Sequence, residues 1–91
     1  MNPVRPFWIY TYVLKSEKVG TFYTGTTNNL ERRLEQHNKG QVYHTKNKLP
    51  MRLIYFEACL SKDDAYHRER YLKTGMGKRY LKNRMRGGLT G

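Results

Sequence analysis

Acid, cysteine and long apolar runs are all scarce in this 91-residue chain. A lone cysteine, Cys59, excludes an internal disulfide scaffold and a cysteine zinc cluster. No apolar run approaches the ~20 residues that span a bilayer. The N-terminal stretch MNPVRPFWIYTYVLK is too interrupted by Tyr, Trp and Pro to read as a secretory leader. The cytoplasm is therefore the expected compartment, and a membrane is not an expected partner. A chain this short buries roughly 60–65% of its unfolded surface and has room for one core. One domain is expected over 1–91, with its core at about 7–86 and a flexible tail at 87–91. Hydrophobic residues at 37% and aromatics at 13% suffice for that core, which argues against wholesale disorder.

Positive charge, by contrast, is abundant. Eighteen Lys and Arg against seven Asp and Glu leave a formal charge of +11. An excess that large points to a polyanionic partner. Nucleic acid precedes anionic membrane here, because no basic segment carries a broad apolar face. The plainer alternative is a well-solvated basic surface.

Residues 7–14, FWIYTYVL, have the aromatic and β-branched content of a strand. KSEKVG at 15–20 reads as a turn, and TFYTGT at 21–26 as a second strand of the same hairpin. A six-residue loop would pair Leu14 with Thr21 and Tyr12 with Tyr23, on one face of the sheet. Asn28 and Asn29 offer an N-cap for LERRLEQHN, which Gly40 ends. A polar basic loop follows at 41–50, then a third strand, MRLIYFEA, at 51–58. Ser61 with Asp64 has capping-box form and opens a helix running to about Lys73. Gly75 and Gly77 are expected to break it, and a last basic helix occupies roughly 78–86. The order β-β-α-β-α-α predicts a small α+β domain: a three-stranded, mostly antiparallel sheet with helices packed on it.

Three sets of residues could carry chemistry. Tyr12 and Tyr23, with Tyr10 nearby, suit either cross-strand packing or a cleft where hydroxyls converge. Leu30, Arg33, Leu34 and His37 recur at i, i+3, i+4 and i+7, so an Arg and a His share an apolar helical face. A guanidinium there either snorkels at the stripe's edge or meets an anion. Glu69 lies on the inner face of its helix with Ala65 and Leu72. It would either pair with a base such as Arg33 or Lys73, or serve as a hard oxygen ligand for a divalent cation.

The ordered set of these features resembles the GIY-YIG nuclease superfamily. The likeness is to small stand-alone bacterial members, similar to the N-terminal catalytic domain of the bacterial excision-repair nuclease. It is carried by Y-T-Y-V-L-K-S at 10–16, F-Y-T-G-T-T-N-N-L-E-R-R-L-E-Q-H-N at 22–38 and S-K-D-D-A-Y-H-R-E-R-Y-L-K at 61–73. The resemblance implies that Tyr12 and Tyr23 are the two motif tyrosines, that Arg33 rather than Arg32 is the catalytic arginine, and that His37 stands where members carry His or Tyr. It implies that Glu69 binds the metal. The chain departs from the pattern at Tyr10, Thr11 and Thr24, which replace a glycine and two isoleucines. Asn83 is the only nearby counterpart of a late asparagine found in some members.

The resemblance thus implies a metal-dependent endonuclease hydrolysing phosphodiester bonds in DNA, with RNA compatible, acting in repair or in processing of branched or damaged DNA. Its cofactor would be Mg2+ or Mn2+ on Glu69. Arg33 would donate to a non-bridging phosphate oxygen, while Tyr12 with Tyr23 or His37 would orient and deprotonate water. From Tyr66 to Gly91 there are eight Lys/Arg and one acid. Arg68, Lys73, Lys78 and Arg79, with Lys46 and Lys48 from the central loop, are the candidate phosphate contacts. No recognition helix or zinc finger is present, so binding would be structure-guided, non-specific or directed by a targeting protein partner. The alternative from another class is a catalytically silent nucleic-acid-binding module that keeps the fold.

Overall fold

The computed structural model describes residues 7–87. Three strands, β1 (Ile9–Ser16), β2 (Phe22–Thr27) and β3 (Met51–Cys59), form one sheet in the order β2-β1-β3, antiparallel throughout. Helix α1 (Leu30–Asn38) links β2 to β3, and α2 (Lys62–Leu72) and α3 (Gly75–Arg84) follow β3. The arrangement is the α+β order anticipated from the sequence. Of the expected tail, residues 88–91 lie outside the described residues, as do 1–6 of the N-terminal stretch.

Alternation along the central strand builds two small cores. Tyr12 and Leu14 point to one face and pack with Met51, Leu30, Leu34 and Leu53, which seats α1. Val13 points to the other and packs with Leu72 and Leu81, which seats α2 and α3. On that second face the Thr11 hydroxyl donates to the Ala65 carbonyl at 3.0 Å, tying α2 to β1.

The hairpin is tighter than expected. Ser16 N–H donates to Thr21 O and Gly20 N–H to Ser16 O, so the loop is the four residues 17–20. The buried Ser16 hydroxyl accepts from Lys18 and Val19 N–H and donates to Lys48 O at 2.6 Å, which spends the turn's backbone donors locally and pins the central loop. As a result Leu14 pairs with Tyr23, and Tyr12 pairs with Gly25 rather than with Tyr23. The register differs from expectation by two residues, and a shift of two leaves both rings on the same face. Against β3 the register slips between Val13 and Leu14, a bulge in the ladder.

Both early helices are capped as their sequences suggest. The Asn29 side chain accepts from Arg32 N–H and that of Ser61 from Asp64 N–H. Gly40, at φ +75°, supplies the left-handed residue that ends α1. The last helix corrects the sequence reading. Gly75 and Gly77 do not precede it; they form its first turn, and Thr74 caps it by accepting from Gly77 N–H. Gly77 is buried where α3 turns back on α2, and a Cβ there would stand 2.0 Å from the Tyr71 carbonyl oxygen.

The two glycines should therefore respond oppositely to alanine. Gly75 has nothing within 4 Å of an added Cβ, so Gly75→Ala should gain up to about 1 kcal/mol from reduced unfolded-state freedom. Gly77→Ala should lose about 2 kcal/mol or more from overpacking. Urea unfolding of the two variants would check the pair, and equal responses would contradict the helix crossing.

Candidate active site

Tyr12 lies in the central strand with 2% of its surface exposed, and its ring reaches sideways across β2. Gly25 makes that reach possible. A Cβ on residue 25 would stand 2.6 Å from the Tyr12 hydroxyl oxygen, so only glycine lets the phenol lie over the strand backbone. Tyr23, two residues before Gly25, turns its ring to the same face, with centroids 6.3 Å apart.

Helix α1 brings two polar side chains onto that phenol. His37, fully buried, places Nε2 2.9 Å from the Tyr12 hydroxyl and Nδ1 2.7 Å from the hydroxyl of Thr45. Arg33 donates through Nε to the Tyr12 oxygen at 3.4 Å and through Nη1 to Gln36 at 3.0 Å, and neither bond uses Nη2. Spacing of i to i+4 on one helix is what aims both at the same hydroxyl. Arg32 instead reaches the Asn28 side chain on the solvent side. The Asn38 side chain holds the helix end in place by bonding both N–H and C=O of Met51.

Burial governs the protonation of the group. It pushes the Tyr12 phenol up to about 12, against the lowering effect of the Arg33 hydrogen bond. It pushes His37 down to about 4, helped by the positive charge of Arg33. Arg33 itself is raised, chiefly by its bond to Tyr12. At neutral pH the cluster is thus a neutral phenol, a neutral imidazole and a guanidinium.

Glu69 approaches from α2 on the opposite face, and it too meets β2. Its Oε1 accepts from the Thr26 hydroxyl at 2.5 Å, next along the strand from Gly25, and its Oε2 pairs with Lys73 at 2.8 Å. The carboxylate is also among the charges that raise Tyr12, after burial and the phenol of Tyr23. The five expected residues therefore gather around one short stretch of an edge strand, with Tyr12, Tyr23, Arg33 and His37 on one side and Glu69 on the other. A cavity of about 890 Å³ lies beside β2 at 21–24, lined by Tyr23 and His44 and by Glu69 and Lys73; Tyr12, Arg33 and His37 are not part of its lining.

Among the described residues no group of three or more His, Cys, Asp or Glu could hold a metal. One carboxylate is nonetheless sufficient for magnesium, which keeps several waters and takes the rest of its ligands from substrate phosphate. Glu69 fits that mode. Its partner Lys73 is half-exposed, and an exposed i to i+4 pair contributes only about 0.3–0.5 kcal/mol.

The candidate phosphate contacts separate into two kinds. Lys48, Lys73 and Lys78 line the cavity, joined by Lys82, which the sequence did not single out. Lys46 stands 4.9 Å over the ring of exposed Tyr43, and Arg79 is exposed on α3. Arg68 is committed elsewhere: its Nε bonds both oxygens of Glu57, and its guanidinium sits over the rings of Tyr71 and Tyr80. Asn83 is exposed on α3. Sequence reasoning missed Thr45 and Thr26. Strand alternation from Tyr23 would have turned Thr26 toward the α2 side; nothing local marks Thr45.

Comparison with known proteins adds the family. A model described as the GIY-YIG catalytic domain matches residues 8–85. The chain is 45% identical over 65 residues to a UPF0213 protein of Clostridium perfringens, covering 70% of this chain and 69% of that one. It is 39% identical over 84 residues to a UPF0213 protein of Bacillus licheniformis, covering 88% and 86%. The solution NMR structure of a UPF0213 protein from Bacillus halodurans superposes with a TM-score of 0.54 at 30% identity, covering 88% of this chain and 87% of that one.

The depressed His37 makes folding pH-dependent with a definite sign. Below about pH 6.5 the unfolded chain binds a proton that the folded chain refuses until about pH 4. Stability should therefore fall as pH drops through that window, by on the order of 2 kcal/mol. In His37→Gln this component should vanish. Chemical denaturation at pH 7 and pH 4.5 of both proteins would check it, and parallel losses would contradict the buried neutral imidazole.

Proposed function

The chain belongs to the GIY-YIG family of nuclease catalytic domains, and from that premise we propose that it is a magnesium- or manganese-dependent endonuclease cutting phosphodiester bonds in DNA. The observation carrying the proposal is the convergence on Gly25 and Thr26. The hydroxyl of Tyr12 lies over one residue under the hold of Arg33 and His37, and the carboxylate of Glu69 is fixed by the next. We further assign residues 1–91 to a single catalytic domain that works in the cytoplasm on damaged or branched DNA.

In this reading the basic rim of Lys48, Lys73 and Lys78, extended by Lys46 and Arg79, holds the backbone on either side of the scissile phosphate. Arg33 Nη2 donates to a non-bridging oxygen as charge builds there. Tyr12 and Tyr23 position the attacking water. Glu69 would hold a divalent ion, which would supply charge neutralisation during phosphodiester cleavage. Tyr12 is a poor base alone, since a phenol at about 12 is almost wholly protonated at neutral pH. His37 resolves this when its Nδ1–H points to Thr45. Nε2 then accepts from Tyr12, which can take the water's proton while passing on its own, so no free phenolate forms.

Glu69→Gln and Arg33→Ala should each reduce nicking by about a hundredfold or more while DNA binding persists. A plasmid-nicking assay with magnesium, beside a gel-shift assay, would check both. Unchanged cleavage in both variants would overturn the site assignment, and binding without cleavage by the parent protein would favour the silent module. Binding should weaken steeply with salt, as several released counterions require, and a flat response would contradict the lysine rim.

A further inference from the structure

Exposed large rings are spread over the surface, Phe7, Trp8, Phe56 and Tyr66 among them, and two, Tyr43 and Phe22, lie beside the candidate site on opposite faces of the sheet. Tyr43 is 76% exposed and Phe22 53% exposed, although both are large enough to stabilise a core. Tyr43 meets His44 edge-on at 5.5 Å, His44 stacks on Tyr23 at 6.4 Å, and Tyr23 is part of the site described above. A ladder of rings thus leads outward from the candidate active site along the central loop. Phe22 neighbours Tyr23 in β2 and lines the same cavity from the opposite face of the sheet. Lysines interleave with these rings: Lys46 lies over Tyr43, and Lys48, Lys73, Lys78 and Lys82 rim the cavity.

Phosphate attraction explains the lysines but not the rings. A paired duplex presents phosphates and groove edges, while its base faces are stacked on one another and closed to side chains. Exposed rings alternating with cations are the equipment of a surface that stacks unpaired bases. The lining of the cavity agrees. It includes His44 on one face of β2 and Glu69 on the other. A duplex is stiff over roughly 150 base pairs; a single strand can pass from one face to the other.

We infer that the candidate site takes its substrate as an unpaired nucleotide strand, whose bases stack on Tyr43, His44 and Phe22 while its phosphates follow the lysine rim over β2. The inference rests on the nuclease reading for the purpose of the strand, but its test is independent of cleavage. Fluorescence anisotropy with the wild-type protein in chelator would compare labelled oligothymidylate, oligouridylate and a blunt duplex of equal length at one salt concentration. The single strands should bind about tenfold or more tightly than the duplex, and Tyr43→Ala and Phe22→Ala should each weaken them by about five- to fiftyfold with little change for the duplex. Both rings are exposed, so the variants should keep the parent's circular dichroism. Preference for oligouridylate over oligothymidylate would assign the strand to RNA and keep the inference. A duplex bound as well as or better than either single strand, or two ring variants that bind like the parent, would overturn it. Failure to cleave a strand that is tightly bound would count against the nuclease reading alone.

Discussion

A phenol buried at the centre of a three-stranded sheet sets the terms for most of this molecule. The hydroxyl of Tyr12 has left water, and a buried hydroxyl without partners is costly. Its partners come from α1, so α1 must lie on this face of the sheet, and His37 must be buried with it. The second nitrogen of His37 then needs a partner of its own, and Thr45 supplies it from a loop without regular structure. That loop must in turn be held: Ser16 bonds Lys48 near its C-terminal end, and Asn38, just before its start, bonds Met51 just after its end. Each satisfied group creates the next requirement until the chain closes: among the described residues, no buried side-chain polar atom lacks a partner. Gly25 is the opening condition, because the phenol can lie where it does only above a residue with no side chain.

Two half-buried carboxylates show how environment divides similar groups between structure and chemistry. Glu57 receives Arg68 on both oxygens and the Tyr55 hydroxyl on one of them. Burial, with the bonds to Tyr80 and Glu57, keeps that tyrosine protonated. Arg68 is further braced by two rings, so the whole group acts as a clamp between β3, α2 and α3. Glu69 has the same half-exposed position but a single lysine on a flexible stem and one hydroxyl. A lysine is exchanged more readily than a stacked arginine whose Nε–H is shared by both oxygens. Of the two carboxylates, Glu69 is therefore the one that fold stability requires less.

How much of this was legible follows from the range of each signal. Arg33, His37 and the caps of α1 and α2 were readable because helical spacing and capping act within a few residues. The side of the sheet shared by Tyr12 and Tyr23 was readable for a similar reason, since alternation survives any even shift of register. The register itself was not readable. It depended on whether the turn closed over four or six residues, which the Ser16 side chain decided. Gly75 and Gly77 misled because glycine normally weakens a helix; at Gly77 the crossing with α2 needs the missing Cβ more than the helix needs propensity. Arg68 looked like one more phosphate contact because sequence charge carries no information about a partner eleven residues away. Thr45 lies in a loop, and only the folded position of His37 gives its hydroxyl a purpose.

The two perturbed groups at the site are shifted in opposite directions by the same burial, and this shapes the proposed chemistry. Tyr12 resists losing its proton and His37 resists gaining one, so the pair is held in its neutral, unreacted form. Part of that resistance comes from Arg33, whose charge opposes an imidazolium beside it. A phosphate bound by Arg33 would place negative charge against the guanidinium and weaken its repulsion of a proton on His37. In that chemistry negative charge would grow further as the phosphorus becomes five-coordinate, so the imidazolium would be stabilised most at the moment the proton must arrive. Without a bound phosphate the same residues stay neutral. In the proposed chemistry the base would thereby be coupled to the presence of the phosphate it serves.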